Sequence, residues 1–463
     1  MRTSMVCPTP PARSGLATLA LAALLGWGCS RPAPQSTRTS DQIQAANSGS
    51  ALLLTDIHLN PLDGASNTNV DQLAKADIDD WPAILGTFQQ GFSSIGSDPN
   101  YPFVDSALAE AAKHRPFDYV VFTGDMLVHD FRNKFPLAAE QFPAFARKTA
   151  AFVARQLRTR FSNVPVFVAI GNNDSDGCDY GSTPNGKFLG AVADEMTVLK
   201  TSADANQDFR SGGYFTLPHP TVAGQDIIVL NSVFWSTSYF DPNPPYNCTD
   251  PPPGDPGSDE LNWLESTLQT ASKNRHGVTF VMHIPPGVDP HSGDKAQSFW
   301  KAQYFSRFSA LMKKYSGMVQ VALAGHTHFD DFRVFDDFPA GPWRITPAVS
   351  PKFGNNPGFS VLSYDSKTAT ISDIATFFAS PPRMAWAKEY NFNKAYNLSG
   401  FSATNLQTLN QDVRKGNTNF EQYYMVGAGF NWTRDLKYVA CAESFFTHDN
   451  ARTCITGWPS AKP

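Results

Sequence analysis

Five short fragments carry the residues able to do chemistry: Asp56-Ile-His58, Gly124-Asp125, Gly171-Asn172-Asn173, His283 and Gly325-His326-Thr-His328. They supply two aspartates, one asparagine and four histidines as metal ligands: Asp56, His58, Asp125, Asn172, His283, His326 and His328. Mixed carboxylates and imidazoles suit zinc, manganese or iron, and seven ligands are too many for one ion. Two divalent cations follow, with zinc the first choice. A carboxylate shared between two cations keeps them close, and such a pair activates water and clamps a phosphoryl group. In Asp56-x-His58 and His326-x-His328, alternation along an extended backbone would turn both side chains to one face. The glycines before Asp125, Asn172 and His326 allow backbone to come close.

Each fragment ends an apolar run: Ala51–Thr55, Tyr119–Thr123, Val164–Ile170, Val278–Met282 and Val319–Ala324. These read as buried strands. Helical patterns lie between them at Asp105–His114, Ala138–Arg160, Asp259–Asn274 and Ser298–Tyr315. Strands alternating with helices predict α/β layers, whose ligands bind beyond the carboxyl ends of the strands. The five fragments are therefore expected on one rim. Asp241–Gly257, with Pro251-Pro252-Pro253, is expected as a surface loop. From about Thr376 the rhythm changes, and Met384–Tyr396, Ser402–Lys415 and Asn419–Val426 read as helical. Ser402 is placed as a helix cap.

The order D-x-H, G-D, G-N, H, G-H-x-H resembles the calcineurin-like metallophosphoesterase signature, over about residues 51–375. Three features resemble its acid sphingomyelinase-like branch: Gly124-Asp125-Met-Leu-Val-His129-Asp130, the run His283-Ile-Pro-Pro-Gly287, and the segment from Glu389-Tyr390 to Tyr423-Tyr424. The resemblance implies a four-layer α-β-β-α sandwich with a small C-terminal helical subdomain. It implies one metal on Asp56, His58, Asp125 and His328 and another on Asp125, Asn172, His283 and His326, with Asp125 bridging. It implies a metal-held water as nucleophile, and His129 at the phosphate or the leaving group. Asn173 departs from the branch, where a histidine follows the asparagine. An amide donates a hydrogen bond but delivers no proton. Gly171-Asn172-Asn173-Asp174 is similar instead to endopolyphosphatase members, whose leaving group is already good. The expected activity is hydrolysis of a phosphodiester or phosphoanhydride. The substrate is a phosphorylated small molecule, a lipid or polyphosphate. Endopolyphosphatase is one alternative and a non-catalytic surface-binding protein another.

The chain has 463 residues, with 37 Lys and Arg against 42 Asp and Glu, a net charge of −5. That excludes general nucleic-acid binding, which calls for a basic excess. Arg2, Arg13 and the apolar run Leu16–Trp27 have the layout of a secretory signal over residues 1–28. Cys29 follows as a candidate lipid anchor, and residues 29–50 read as a disordered linker. The catalytic domain is expected over 51–375 and the helical subdomain over 376–463. An exported monomer is expected, periplasmic, secreted or held on the outer membrane as a lipoprotein, with membrane contact only through that anchor. In an oxidising compartment the remaining cysteines should pair as Cys178–Cys248 and Cys441–Cys454. His219 and His448 are read as structural, His291 as a residue near the cleft, and Asp174, Asp176 and Asp179 as an acidic turn.

Overall fold

The structure is a computed structural model that describes residues 48–336, 341–380, 384–415 and 436–458. The signal and anchor readings, Asn419–Val426 and Tyr423-Tyr424 lie outside the described residues.

Among the described residues twelve strands form two sheets. They are β1 (Ser48–Leu54), β2 (Tyr119–Phe122), β3 (Val166–Val168), β4 (Phe215–Pro218), β5 (Gln225–Val229) and β6 (Gly277–Val281), then β7 (Val319–Ala324), β8 (Asp331–Arg333), β9 (Trp343–Ile345), β10 (Gly358–Asp365), β11 (Ile371–Ser380) and β12 (Ala385–Asn391). One sheet runs β12-β11-β10-β1-β2-β3 and the other β4-β5-β6-β7-β9-β8. β1, β2 and β3 are mutually parallel, as are β5, β6, β7 and β9. The antiparallel strands lie outside these parallel cores.

Alternation along the strands builds the layers. Ile227, Val229, Val281, Val321 and Leu323 pack in one buried cluster with Leu52, Leu53, Val120 and Phe122 of the opposite sheet. Their neighbours Ile228, Phe280, Met282 and Ala322 face a second cluster, with Leu261, Leu264 and Leu268 of helix Pro256–Asn274 and Phe308 and Met312 of helix Ala302–Lys314. On the far side of the first sheet, Phe103 of helix Tyr101–Ala112 meets Trp386 of β12, ring centroids 6.1 Å apart. The sandwich is α-β-β-α. Each expected apolar run contributes its strand, and four of the expected helices form within a few residues of their expected bounds.

The reading of Met384–Tyr396 as helix is corrected. Ala385–Asn391 is a strand, antiparallel to β11, and only Phe392–Tyr396 turns helical. Glu389 and Tyr390, placed with the helical region by the resemblance, lie in β12. Trp386 and Tyr390 are aromatics at even spacing, which suits a pleated surface as well as a helix face. Beyond them helix Ala403–Lys415 forms as expected, with Ser402 Oγ accepting from Asn405 N–H at 3.2 Å. Helices Leu436–Ser444 and His448–Thr456 are joined by the Cys441–Cys454 disulfide, and Cys178–Cys248 forms too. Among the described residues no helix is long and apolar enough to cross a membrane.

Candidate metal centre

The parallel strands β1, β2, β3, β6 and β7 deliver Asp56, Asp125, Asn172, His283 and His326 just past their carboxyl ends. The backbone there is not extended as alternation required. Asp56, His58, Asp125, His326 and His328 all have positive φ, between 45° and 75°. Each such residue costs on the order of 1–3 kcal/mol, and the conformation persists only where the surroundings impose it. Here they do. Asp56 N–H donates to Gly124 O at 2.9 Å and His58 N–H to Asp125 O at 3.0 Å. Ser350 N–H donates to Asp56 O at 2.9 Å. Two glycines permit the crowding. A Cβ on Gly171 would stand 2.1 Å from Asp125 Oδ1, and one on Gly325 would stand 2.0 Å from Thr55 Oγ1.

The side chains converge. Asp125 Oδ2 lies 3.1 Å from His283 Nε2 and 3.4 Å from His58 Nε2. Asp56 Oδ1 lies 3.6 Å from His58 Nε2 and 3.4 Å from His328 Nε2. Asn172 Oδ1 lies 2.9 Å from His283 Nε2. His326 packs edge-on to His283 with centroids 5.1 Å apart. One oxygen of Asp125 thus serves both the Asp56 side and the Asn172 side of the cluster.

The hydrogen bonds outside the cluster define its chemistry. His58 Nδ1 lies 2.8 Å from Leu127 O, and His283 Nδ1 lies 2.8 Å from Thr123 O. A carbonyl only accepts, so each Nδ1 carries a proton, and Nε2 is the ring atom turned inward, able to give its lone pair to a cation that displaces its own proton. Carboxylate and amide oxygens point into the same space. Asp56 Oδ1 and His58 Nε2 are buried without any hydrogen-bond partner. Buried polar atoms of this kind need a partner, and converging lone pairs accept a cation. The ligand atoms of Asp56, His58 and Asp125 all lie within 4.8 Å of one another. The residues fit a divalent metal.

With no cation bound, the histidines themselves carry the charge that balances the carboxylates. Burial favours neutral His58 and His283 rings, but Asp125 beside both pushes each up to about 9. Burial also works against an ionised Asp56, yet His328 and His283 hold its carboxyl well below the usual range. His326 goes the other way, lowered to about 3 by burial and by His283.

Three residues around the cluster were not legible as site residues. Asp174 is buried, and its carboxylate accepts from the N–H groups of Asp125 and Gly171, both at 2.9 Å, and of Met126 at 2.7 Å. It ties the Asp125 turn to the Asn172 turn; its place directly after Gly-Asn-Asn is the signal that could have found it. Asp98 Oδ1 binds His129 Nδ1 at 2.8 Å and fixes a ring that stacks on His58 at 3.8 Å. Burial and His58 lower His129 to about 4 against the pull of Asp98. Phe353, exposed beside the cluster, sits edge-on to His328 at 4.7 Å and His129 at 5.3 Å.

Asn173 acts on its neighbours. Its N–H donates to Asp125 Oδ1 at 2.7 Å, and its Oδ1 accepts from Asn172 Nδ2 at 2.8 Å. That second bond turns the Asn172 oxygen toward His283. A cavity of about 180 Å³ opens over these residues, lined also by His129, Asp179, Tyr180 and Tyr246. His219 and His448 lie elsewhere, on Thr221 and Val222 N–H and on Ala296 O. His291 packs tilted against Phe329, ring centroids 4.4 Å apart, beside the rim.

Two stacked sheets with a carboxylate–imidazole cluster at the parallel strand ends define a metal-dependent hydrolase. The chain belongs to the calcineurin-like phosphoesterase family, whose profile matches residues 50–330, and it is a phosphoric ester hydrolase. It is 26% identical over 381 residues to sphingomyelinase phosphodiesterase D of Dictyostelium discoideum, covering 78% of this chain and 81% of the relative. It is 26% identical to the human acid sphingomyelinase-like phosphodiesterase 3b, covering 66% and 68%. It is also 26% identical to the cyclic GMP-AMP phosphodiesterase SMPDL3A of Bos taurus, covering 72% and 74%. The family implies divalent metal ions.

Proposed function

We propose that the chain is an exported phosphodiesterase with a dinuclear centre, sphingomyelinase-like in its reaction. The observation that carries this is the convergence of His58 Nε2, His283 Nε2 and the neighbouring carboxylate oxygens on Asp125. Asp56, His58, Asp125 and His328 would hold one cation, and Asp125, Asn172, His283 and His326 the other. Zinc is the first choice, with manganese and iron sharing the same ligands. Bound divalent cations would neutralise a phosphate and make water a stronger nucleophile near neutral pH. The protein's own share is positional. Asn173 orients Asn172, Asp174 fixes the two ligand turns, and His129, steadied by Asp98, faces the cavity.

Export accords with two disulfides, which persist in oxidising compartments. The outer cavity wall argues for a diester over polyphosphate. It sets the Asp130 carboxylate beside a single cation, Arg132, a poor setting for a long polyanion. Asn173 is what favours the phosphoanhydride reading, because it removes a proton donor that a good leaving group does not need.

The deciding experiment is a substrate panel on the purified mature protein with zinc or manganese. Bis(4-nitrophenyl) phosphate should turn over, lose turnover to a chelator and recover it with metal, and polyphosphate should be slower. Absence of diester turnover with every metal sinks the reading.

Metal uptake should depend on pH. His58 and His283, near 9 in the metal-free protein, carry protons at pH 7 that a cation must displace. Affinity should therefore rise with pH from 6 toward 9. Loading near pH 7 should release up to about two protons, read from calorimetry in buffers of different ionisation heat. A pH-independent affinity contradicts it.

A further inference from the structure

Asn173 stands where the resemblance expects a histidine proton donor, and besides His129 and Asp125 one further titratable carboxyl group, that of Asp179, lines the same cavity. Asp179 follows Cys178, whose disulfide to Cys248 ties this segment to the proline-rich loop. Its carbonyl oxygen lies 3.3 Å from Cys248 Sγ. The Asp179 side chain accepts from Asp130 N–H at 3.3 Å and from the Asn173 amide. It is half-buried in the wall between two adjoining cavities. The inner one, of about 180 Å³, contains Asp125, Asn172, His326 and His328. The outer one, of about 190 Å³, contains Arg132, Asn133 and Asn247. Among the described residues only Asp179 and Tyr246 line both.

We propose that Asp179 is the catalytic proton donor to the leaving group, with the phosphoryl group in the inner cavity and the leaving group in the outer one. This rests on the phosphoesterase reading above. As water attacks phosphorus, one P–O bond forms and the P–O bond to the leaving group breaks. The departing oxygen keeps the bonding electron pair and takes the Asp179 proton. Water's surplus proton goes to solvent, and Asp179 regains a proton from solvent through the outer cavity. Asn173 is then a positioning residue, with one end of its amide on Asn172 and the other on Asp179. Burial pushes the Asp179 carboxyl up to about 7, with Asp125 and Asp130 adding to it and the N–H donors opposing. Burial is the largest cause and acts whether or not cations offset Asp125. The other nearby acids are engaged: Asp174 by three backbone N–H groups, Asp98 on His129 and Asp130 by the Asn133 amide.

The test is Asp179→Asn in the metal-loaded full chain, on a series of aryl diesters running from 4-nitrophenol to unsubstituted phenol as leaving group. Proton donation matters more as the leaving group worsens. The variant should stay within about threefold of wild type on the nitrophenyl ester and lose about 100-fold on the phenyl ester, with metal content unchanged. Asp179→Ser carries the same expectation and replaces it if the first variant does not fold. A uniform loss across the series marks a structural role and overturns the proposal, as does no loss on the phenyl ester. If wild type hydrolyses no member of the series, the phosphodiesterase reading itself fails. A wild type active throughout with a flat variant leaves that reading intact and removes Asp179 alone.

Discussion

Asp125→Asn should lower kcat/KM on a nitrophenyl diester by about 1000-fold or more and strip the protein of most of its metal. The side chain is the junction of the cluster. Its Oδ2 faces both His58 and His283, at 3.4 and 3.1 Å, and its Oδ1 accepts the Asn173 N–H at 2.7 Å. An amide keeps the shape and removes the charge. Its NH₂ group would confront Nε2 lone pairs or a cation, while its oxygen binds a metal weakly by comparison. Losing about 4 kcal/mol of stabilisation of the developing charge corresponds to roughly a thousandfold in rate. The pKa pattern gives a second readout. His58 and His283 are raised chiefly by Asp125 against burial, so in the variant both should titrate well below about 9. Metal analysis, kinetics and histidine titration by NMR check the three parts. Full activity with full metal content would remove Asp125 from the centre.

The sequence could be read as far as its local patterns reached. Apolar runs such as Tyr119–Phe122 and Val319–Ala324 lead into Gly-Asp and Gly-His, and the strands stop at or one residue before those pairs. The seven ligand candidates meet because five parallel strands end on one rim. What did not show was whatever depended on contact between distant segments. Asp98 sits in an irregular loop with no strand before it, 31 residues from the histidine it holds. Nothing in its neighbourhood distinguishes it from any turn aspartate. β5 opens with Gln225-Asp226 and keeps only three apolar residues, so its pattern is too short to separate from noise. β12 mixes charge with aromatics because only its Tyr390 end is buried. The left-handed turns at Asp56, His58 and His328 were illegible for another reason. None of these residues is glycine, so the strain has no residue-type marker and is imposed by bonds such as Ser350 N–H to Asp56 O.

Asp174→Ala should destabilise the fold by on the order of 3 kcal/mol or more and weaken metal binding, although Asp174 is no ligand. The carboxylate accepts three short bonds from buried backbone N–H groups, on Asp125, Met126 and Gly171. Hydrogen bonds to a charged group contribute about 1.5–3 kcal/mol each, and each buried donor left unpaired costs about 1–3 kcal/mol. Losses of one network overlap, so their sum overstates the whole. Burial and Asp125 push the Asp174 carboxyl up to about 6, against the N–H donors. A residue so expensive to bury persists because it welds two turns together. Without it, Asp125 at φ 62° has one fewer restraint on a conformation that is itself strained. The turn should relax, carrying the bridging carboxylate away from His283. Asp174→Asn separates the two effects. It keeps one acceptor oxygen and the volume, so it should recover part of the stability but not the metal affinity of wild type. Urea unfolding of metal-free protein gives the first quantity and competition with a chromogenic chelator the second. If the alanine variant unfolds within 1 kcal/mol of wild type, the weld is not what holds the two turns.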